Sequence, residues 1–259
     1  MENQISYQEL IDVAADIAEE ASKIALSYFR KSILIEMKEN MTPVTIADKK
    51  TEEAIRAELA SAFPGFGIQG EEFGEEDMHE DLVWTIDPID GTLSFIRGIP
   101  LFGTLIGLLD KGEPVGGVMV LPALGETYTA ASGEGAFCNG HQIHVSQTQT
   151  IETAFISAGD VIAFKDLGKL PFLKSLQTET NYCRGYTDCF AHALVMRGSL
   201  DAMIDPIVSI WDIAPLASLI QEAGGCYFDF EGKETIHSKS FIACTPAIKG
   251  NILELLSRC

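Results

Sequence analysis

The sequence is poor in positive charge. Its 259 residues hold 18 lysines and arginines against 38 aspartates and glutamates, a formal net charge of −20 at pH 7. Non-specific nucleic-acid binding and docking on anionic lipid both need a basic face, so neither is expected. Long apolar runs are also missing: the longest uncharged one, Ile99 to Leu109, stops at Asp110, short of the roughly 18 residues of a membrane span. The opening Met1-Glu2-Asn3-Gln4 has no basic segment leading into an apolar one, so no secretory signal is expected and the cytoplasm is the expected location. The six cysteines, at 138, 183, 189, 226, 244 and 259, include no C-x-x-C pair. They are too sparse for a disulfide scaffold, and reduced, mostly buried thiols are expected. His141, His144, His192 and His237 lack metal-ligand spacing and receive no catalytic role.

What is present suffices for a sizeable core, with 46% hydrophobic residues against 22% charged. At about 150 residues per domain, the length gives one large domain or two intimate ones. Ser6-Tyr7-Gln8-Glu9 reads as a capping box, and Leu10, Val13, Ile17, Ala21, Ile24 and Tyr28 recur behind it at helical spacing. A second capping box, Thr45-Ile46-Ala47-Asp48, opens a helix that Pro64-Gly65 stops, with Asp48 in its first turn. Apolar segments at 66–68, 83–86, 101–109 and 115–121 read as strands of one large sheet. After the turn-rich stretch 133–140, strands at 155–157, 202–204, 227–230 and 241–244 alternate with helices at about 187–197, 213–223 and the C-terminus. No repeat, low-complexity tract or linker interrupts the chain. The pattern is mixed α and β, in two sub-domains, 1–140 and 141–259, that share an interface.

Most acidic residues read as solvated surface, including the run Glu75, Glu76, Asp77, Glu80 and Asp81. Others sit at strand ends beside apolar residues, where a carboxylate is costly unless a cation compensates it. Glu71 and Glu72 follow Gly67-Ile68-Gln69-Gly70, and Asp212 follows Trp211 at the start of a helix. The sharpest signal is Asp87-Pro88-Ile89-Asp90-Gly91-Thr92, behind the strand Val83-Trp84-Thr85-Ile86. Pro88 extends the residue before it, Gly91 permits a tight turn, and two aspartates three apart converge on one small volume. Such oxygen ligands suit a hard divalent cation that also takes phosphate oxygens, and the backbone N–H groups of Gly91 and Thr92 suit a phosphate. An EF-hand does not fit, because its loop needs oxygen ligands at positions 1, 3 and 5 and Glu at 12.

These blocks resemble the inositol monophosphatase superfamily of Mg2+-dependent, lithium-sensitive phosphatases. The likeness covers nearly the whole chain and rests on Gly70-Glu71-Glu72, on 84–92, on Trp211-Asp212 with the helix to Gly225, and on the glycine-rich 133–140. It implies a layered αβαβα sandwich, a small phosphate-ester substrate and a homodimer. It implies that Glu71, Asp87, Asp90, Asp212 and the carbonyl of Ile89 hold two or three Mg2+ ions, which bind the phosphate and activate a water for in-line attack without a phosphoenzyme. It further implies that Asp48 and Thr92 orient that water, that Glu72 supports the ligands, and that Gly91, Thr92 and Leu93 supply N–H groups to the phosphate. Lys38 is a further residue that could lie near the site.

The stretch Gly98 to Leu108 and the segment Thr187-Asp188-Cys189-Phe190-Ala191-His192-Ala193 resemble the branch of the family that acts on histidinol phosphate more than the branch acting on inositol phosphates. That substrate carries an ammonium and a protonatable imidazole, so a carboxylate in the leaving-group pocket favours it over an uncharged polyol. Asp188 is the candidate; the alternative is a helix N-terminal acid bonded only to backbone N–H groups. Asp205 matches a substrate-contacting carboxylate of the inositol enzymes and suits hydroxyls or an amine. Leu93, where many relatives carry Lys or Thr, and His192, which replaces an aromatic, depart from the pattern. The expected activity is phosphomonoester hydrolysis, most similar to that on histidinol phosphate; the alternatives are inositol-1-phosphate hydrolysis and a non-catalytic metal-binding regulator.

Overall fold

Two capping boxes fix where the first long helices begin. In the computed structural model, which describes residues 5–32, 34–37 and 43–258, Ser6 and Glu9 exchange side-chain and backbone hydrogen bonds at the head of α1 (Tyr7–Tyr28). Beyond the short strands β1 (Ile35–Met37) and β2 (Pro43–Thr45), Thr45 and Asp48 do the same for α2 (Ile46–Ala62). Lys38 lies outside the described residues. The two helices pack together and lay their apolar stripes on a sheet, in a core that includes Ile11, Ala14, Ile55, Leu59, Trp84 and Ile86.

That sheet is built from β3 (Gly67–Gly70), β4 (Gly74–Glu76), β5 (Leu82–Asp90), then, after the short helix α3 (Thr92–Ile96), β6 (Gly103–Asp110), β7 (Glu113–Leu121), β8 (Glu126–Ala131), β9 (Gly135–Cys138) and β10 (His141–Ile143). Among the described residues its order is β10-β9-β8-β7-β6-β5-β3-β4. The first two acids of the run at 75–81, expected as loop, lie in the exposed edge strand β4, where charge discourages pairing with another chain, and the rest is loop. Side chains alternate between two buried faces, so the central strands read as nearly continuous apolar runs. Ile106, Leu108, Val118 and Val120 face α1 and α2, whereas Leu105, Leu109, Met119 and Leu121 face the opposite layer.

The second half places β11 (Phe155–Ala158), α4 (Val161–Asp166), α5 (Leu170–Glu179), β12 (Tyr182–Arg184), α6 (Asp188–Met196), β13 (Ala202–Asp205), α7 (Ile210–Glu222), β14 (Cys226–Phe228), β15 (Phe241–Cys244) and α8 (Lys249–Ser257). Its strands form a second sheet, ordered β12-β11-β13-β15-β14. Helices α6 and α7 lie between the sheets, sharing one core with Leu105 and Met119 of the first and Met203, Phe241 and Ala243 of the second. Phe164, Leu176, Ile252 and Leu255 cover the far face. The result is the layered αβαβα sandwich. Helix α7 starts three residues before the expected Ile213 because Ser209 and Asp212 form a third capping box. It lies almost on the backbone of the first sheet, where a Cβ on Gly117 would fall 2.3 Å from the Pro215 carbonyl oxygen. Among the described residues no helix is long and apolar enough to cross a membrane.

Candidate active site

Strand β5 carries its acids through a fault in the ladder. Against β6, Asp87 pairs with Leu105 and Asp90 with Gly103, so three steps on β5 match two on its partner. Pro88, which has no N–H to donate, sits inside this bulge; its carbonyl accepts from the Thr104 hydroxyl at 2.9 Å, and the Ile89 N–H turns to Asp87 Oδ1 at 2.9 Å. The chain then bends at Gly91, whose φ of +84° is left-handed and whose missing Cβ leaves room for the Asp188 carboxylate, 3.2 Å from where it would lie.

The bulge brings the two aspartates to Asp212, and one carboxylate oxygen from each of Asp87, Asp90 and Asp212 lies within 4.8 Å of the others. Asp212 is held on α7 by the Ser209 N–H at 2.7 Å. With Glu71, Ile89, Gly91, Thr92, Leu93 and Asp188 they line a cleft of about 280 Å³, and among its described lining residues there is no lysine or arginine. Glu71 and Glu72 occupy the turn between β3 and β4, where the Glu71 N–H donates to the Ile86 carbonyl at 3.1 Å. Leu93 is 65% exposed at the rim. Thr92 Oγ1 is 3.0 Å from the Ile89 carbonyl and 3.5 Å from Asp48 Oδ1. Asp48 is fully buried and accepts both the N–H and the hydroxyl of Thr45.

Burial is the largest cause that moves these acids, and the charges of their neighbours add to it. Asp87 is pushed well above the usual carboxylate range by burial and by the charges of Glu71, Asp212 and Asp90. Asp90 is pushed up likewise by burial, Asp188 and Asp212, against hydrogen bonding from Cys189. Burial takes Asp212 to about 7 although the Ser209 N–H opposes the shift. Asp188 reaches about 6 through burial and the charge of Asp205, opposed by the Thr187 hydroxyl and His192. Asp48 rises by burial against its bonds from Thr45. Like charges gathered out of water, with no cationic side chain among the described residues that line the cleft, fit one remedy, a cation that the oxygens coordinate. An all-oxygen, carboxylate-rich donor set suits a hard divalent metal.

Helix α6 adds a second acidic layer. The Cys189 N–H donates to Asp90 Oδ2 at 2.5 Å, tying this helix to β5. Asp188 sits at φ +57°, a left-handed conformation, and its carboxylate accepts from the Thr187 hydroxyl at 2.9 Å; α6 has no side-chain cap. One turn on, buried His192 places Nε2 3.0 Å from Oδ2 of Asp205, whose side chain is 14% exposed at the end of β13. The charge of Asp205 reaches both Asp188 and Asp212.

A whole-chain likeness accompanies this geometry. Residues 6–259 match the family model described as the inositol monophosphatase family. The chain belongs to that family. As a member it is a phosphoric monoester hydrolase that works with divalent metal ions. It is 37% identical to a histidinol-phosphatase from Chlorobaculum parvum, over 94% of this chain and 95% of that protein. It is 33% identical to a histidinol-phosphatase from Streptomyces coelicolor, over 97% and 98%. Among solved structures it superposes on an IMPase from Thermotoga maritima with a TM-score of 0.89 at 30% identity, covering 96% of this chain and 97% of that one.

One buried acid beside the site, Glu52, was missed in the sequence, and His192 was noted there only as a departure from the pattern. Glu52, fully buried on α2, accepts the N–H groups of Glu72 at 2.7 Å and Phe73 at 3.2 Å and pairs with Arg56, thereby holding the turn that carries Glu71. Gly70 is bare because a Cβ there would lie 2.0 Å from Glu52 Oε1. Glu52 lies one helical turn after Asp48, and His192 one turn after Asp188; that i, i+4 spacing was the available signal.

Proposed function

We propose that this phosphatase hydrolyses histidinol phosphate with Mg2+ as its cofactor, as a cytoplasmic homodimer with sub-domains 1–140 and 141–259. Glu71, Asp87, Asp90, Asp212 and the Ile89 carbonyl would hold two or three ions. When bound, these ions neutralise the phosphate, lower the pKa of a water and stabilise the departing alkoxide. The chain's own residues do the rest. Asp48, with one oxygen committed to Thr45 and the other 3.5 Å from Thr92 Oγ1, positions the Thr92 hydroxyl, and the two together orient the attacking water. Gly91, Thr92 and Leu93 offer N–H groups to the phosphate, and Glu72 steadies the ligand turn.

The observation that carries the substrate reading is the second acidic layer. Asp188 lines the cleft beside the ligands, and Asp205 stands behind a buried histidine, more negative charge than the ion-binding set requires. An ammonium or an imidazolium on the leaving group would find a partner in Asp188 that inositol hydroxyls would not need, while Asp205 suits hydroxyls and an amine alike. The 37% and 33% identities to histidinol-phosphatases support the same branch. The likeness to the Thermotoga maritima IMPase supports inositol-1-phosphate as the second reading.

The test is kcat/KM with Mg2+ on histidinol phosphate and inositol-1-phosphate, repeated with Asp188→Asn. Asparagine tolerates the left-handed backbone at 188 and removes only the charge; alanine would add strain of about 1 kcal/mol. We expect at least about a tenfold preference for histidinol phosphate that collapses in the variant. Equal or reversed rates would move the assignment to the inositol branch. Phosphate release in the wild type that is lost in Asp90→Asn separates an enzyme from a non-catalytic regulator. Light scattering at twice 28.1 kDa would support the dimer.

A further inference from the structure

Away from the cleft, Cys226 and Cys244 face each other across the last two strands of the second sheet. They are registered directly opposite on antiparallel β14 and β15, and their Sγ atoms stand 3.5 Å apart. Strand β14 is the edge of the sheet. Cys244 is fully buried and Cys226 only partly so, which makes Cys226 the more accessible of the two. Opposed Cβ atoms in an antiparallel pair lie about 4.5–5.5 Å apart. A disulfide needs about 3.5–4.5 Å. Side-chain rotation and a small approach of the edge strand therefore close the bond without refolding.

We propose that Cys226 and Cys244 form a thiol-oxidation site, which a hydroperoxide converts to a cross-strand disulfide. The Cys226 thiolate attacks one peroxide oxygen and the O–O bond breaks; the departing oxygen takes up the thiol proton, and Cys226 becomes a sulfenic acid. The Cys244 sulfur then attacks the Cys226 sulfur, the S–O bond breaks, and the hydroxide leaves as water with the Cys244 proton. Two thiols together lose two electrons and two protons, and one hydrogen peroxide becomes two waters. The surroundings assign the order of events. The hydrogen bond from Cys244 lowers the Cys226 thiol below its usual range, and the ammonium of Lys249 assists. The same contact and burial raise Cys244. Cys226, the partly exposed member of the pair, is thus the attacking sulfur, and buried Cys244 the resolving one. Cys138, Cys183 and Cys189 are also free thiols, each pushed up by burial.

The experiment treats the full reduced chain with stoichiometric hydrogen peroxide and reads intact mass and a non-reducing peptide map. We expect a product lighter by two hydrogen atoms, one cross-linked peptide joining 226 to 244, and full reversal by dithiothreitol. Cys226→Ser should lose the cross-link while keeping phosphatase activity. Cys244→Ser should instead accumulate a sulfenic acid at Cys226, trapped by dimedone. A wild-type pair that stays reduced, a bridge to Cys259, which lies outside the described residues, or sulfinic acid at Cys226 in the wild type would overturn the proposal. None of these outcomes depends on which phosphate ester the cleft takes.

Discussion

Asp90 is under opposing pressures. Its carboxylate is one of three converging on a small volume, it accepts the Cys189 N–H, and burial together with Asp188 and Asp212 disfavours its charge. Asp90→Asn keeps an acceptor for Cys189 and removes a charge. In chelator the variant should therefore melt at or above the wild type near pH 8, yet gain nothing from Mg2+ and lose at least about a hundredfold in phosphate release. A variant that melts below the wild type in chelator would mean that Asp90 is stabilising without a cation. The pH dependence has a definite sign. Asp188 at about 6 and Asp212 at about 7 lie above the ordinary 3.8, so between those limits the native state binds more protons than the unfolded one. Their contribution to stability is then full below about pH 4 and lost as pH rises through 6 to 7. Thermal scans should accordingly show a larger gain from Mg2+ near pH 8 than near pH 5, because ionised ligands bind best. At this scale the aspartates of 87–90 were legible in sequence because a proline stands between them and a glycine follows them. Glu52 and His192 were not, because what distinguishes them is burial against partners brought in by folding.

Helix α7 shows what an element needs in order to bring an acid to the cluster. It carries Asp212 in its first turn and lies against β6 and β7 where Gly107 and Gly117 leave no side chain in the way; Cβ atoms there would meet Pro215 at 2.9 and 2.3 Å. Gly117→Ala should cost about 1–3 kcal/mol by overpacking and weaken Mg2+ binding by displacing Asp212. Gly250→Ala on α8, where nothing lies within 4 Å, should be neutral or slightly stabilising. Denaturant midpoints and calorimetric Mg2+ titrations check both, and equal effects of the two substitutions would discount the seating of α7. Helices announced by capping boxes, and strands made of buried apolar runs, were legible from the chain. Strands β8, β9 and β10 were hidden because they are short and rich in glycine, threonine or polar residues, so their pairing rather than their composition defines them. The bulge in β5 was legible only as two aspartates able to converge; its register needs the partner strand.

At the scale of the whole molecule, the acidic cluster joins the first sheet to the helices of the middle layer. Asp87 and Asp90 belong to the first, Asp212 and Asp188 to helices of the middle layer, and the Cys189 N–H bonds across to Asp90. The layered order was legible from alternating elements, because every apolar face must find a cover. The meeting of residues far apart in sequence was not, since no local pattern encodes which edge of the first half touches which helix of the second.

That junction also bears on time. Because its carboxylates come from segments so distant along the chain, the cluster is complete only once those segments have docked, and we expect that to follow the rate-limiting step of folding. A cation bound there then slows escape from the native state without hastening arrival. Stopped-flow measurements should find that Mg2+ lowers the unfolding rate and leaves the refolding rate unchanged; faster refolding in Mg2+ would mean that the junction forms early.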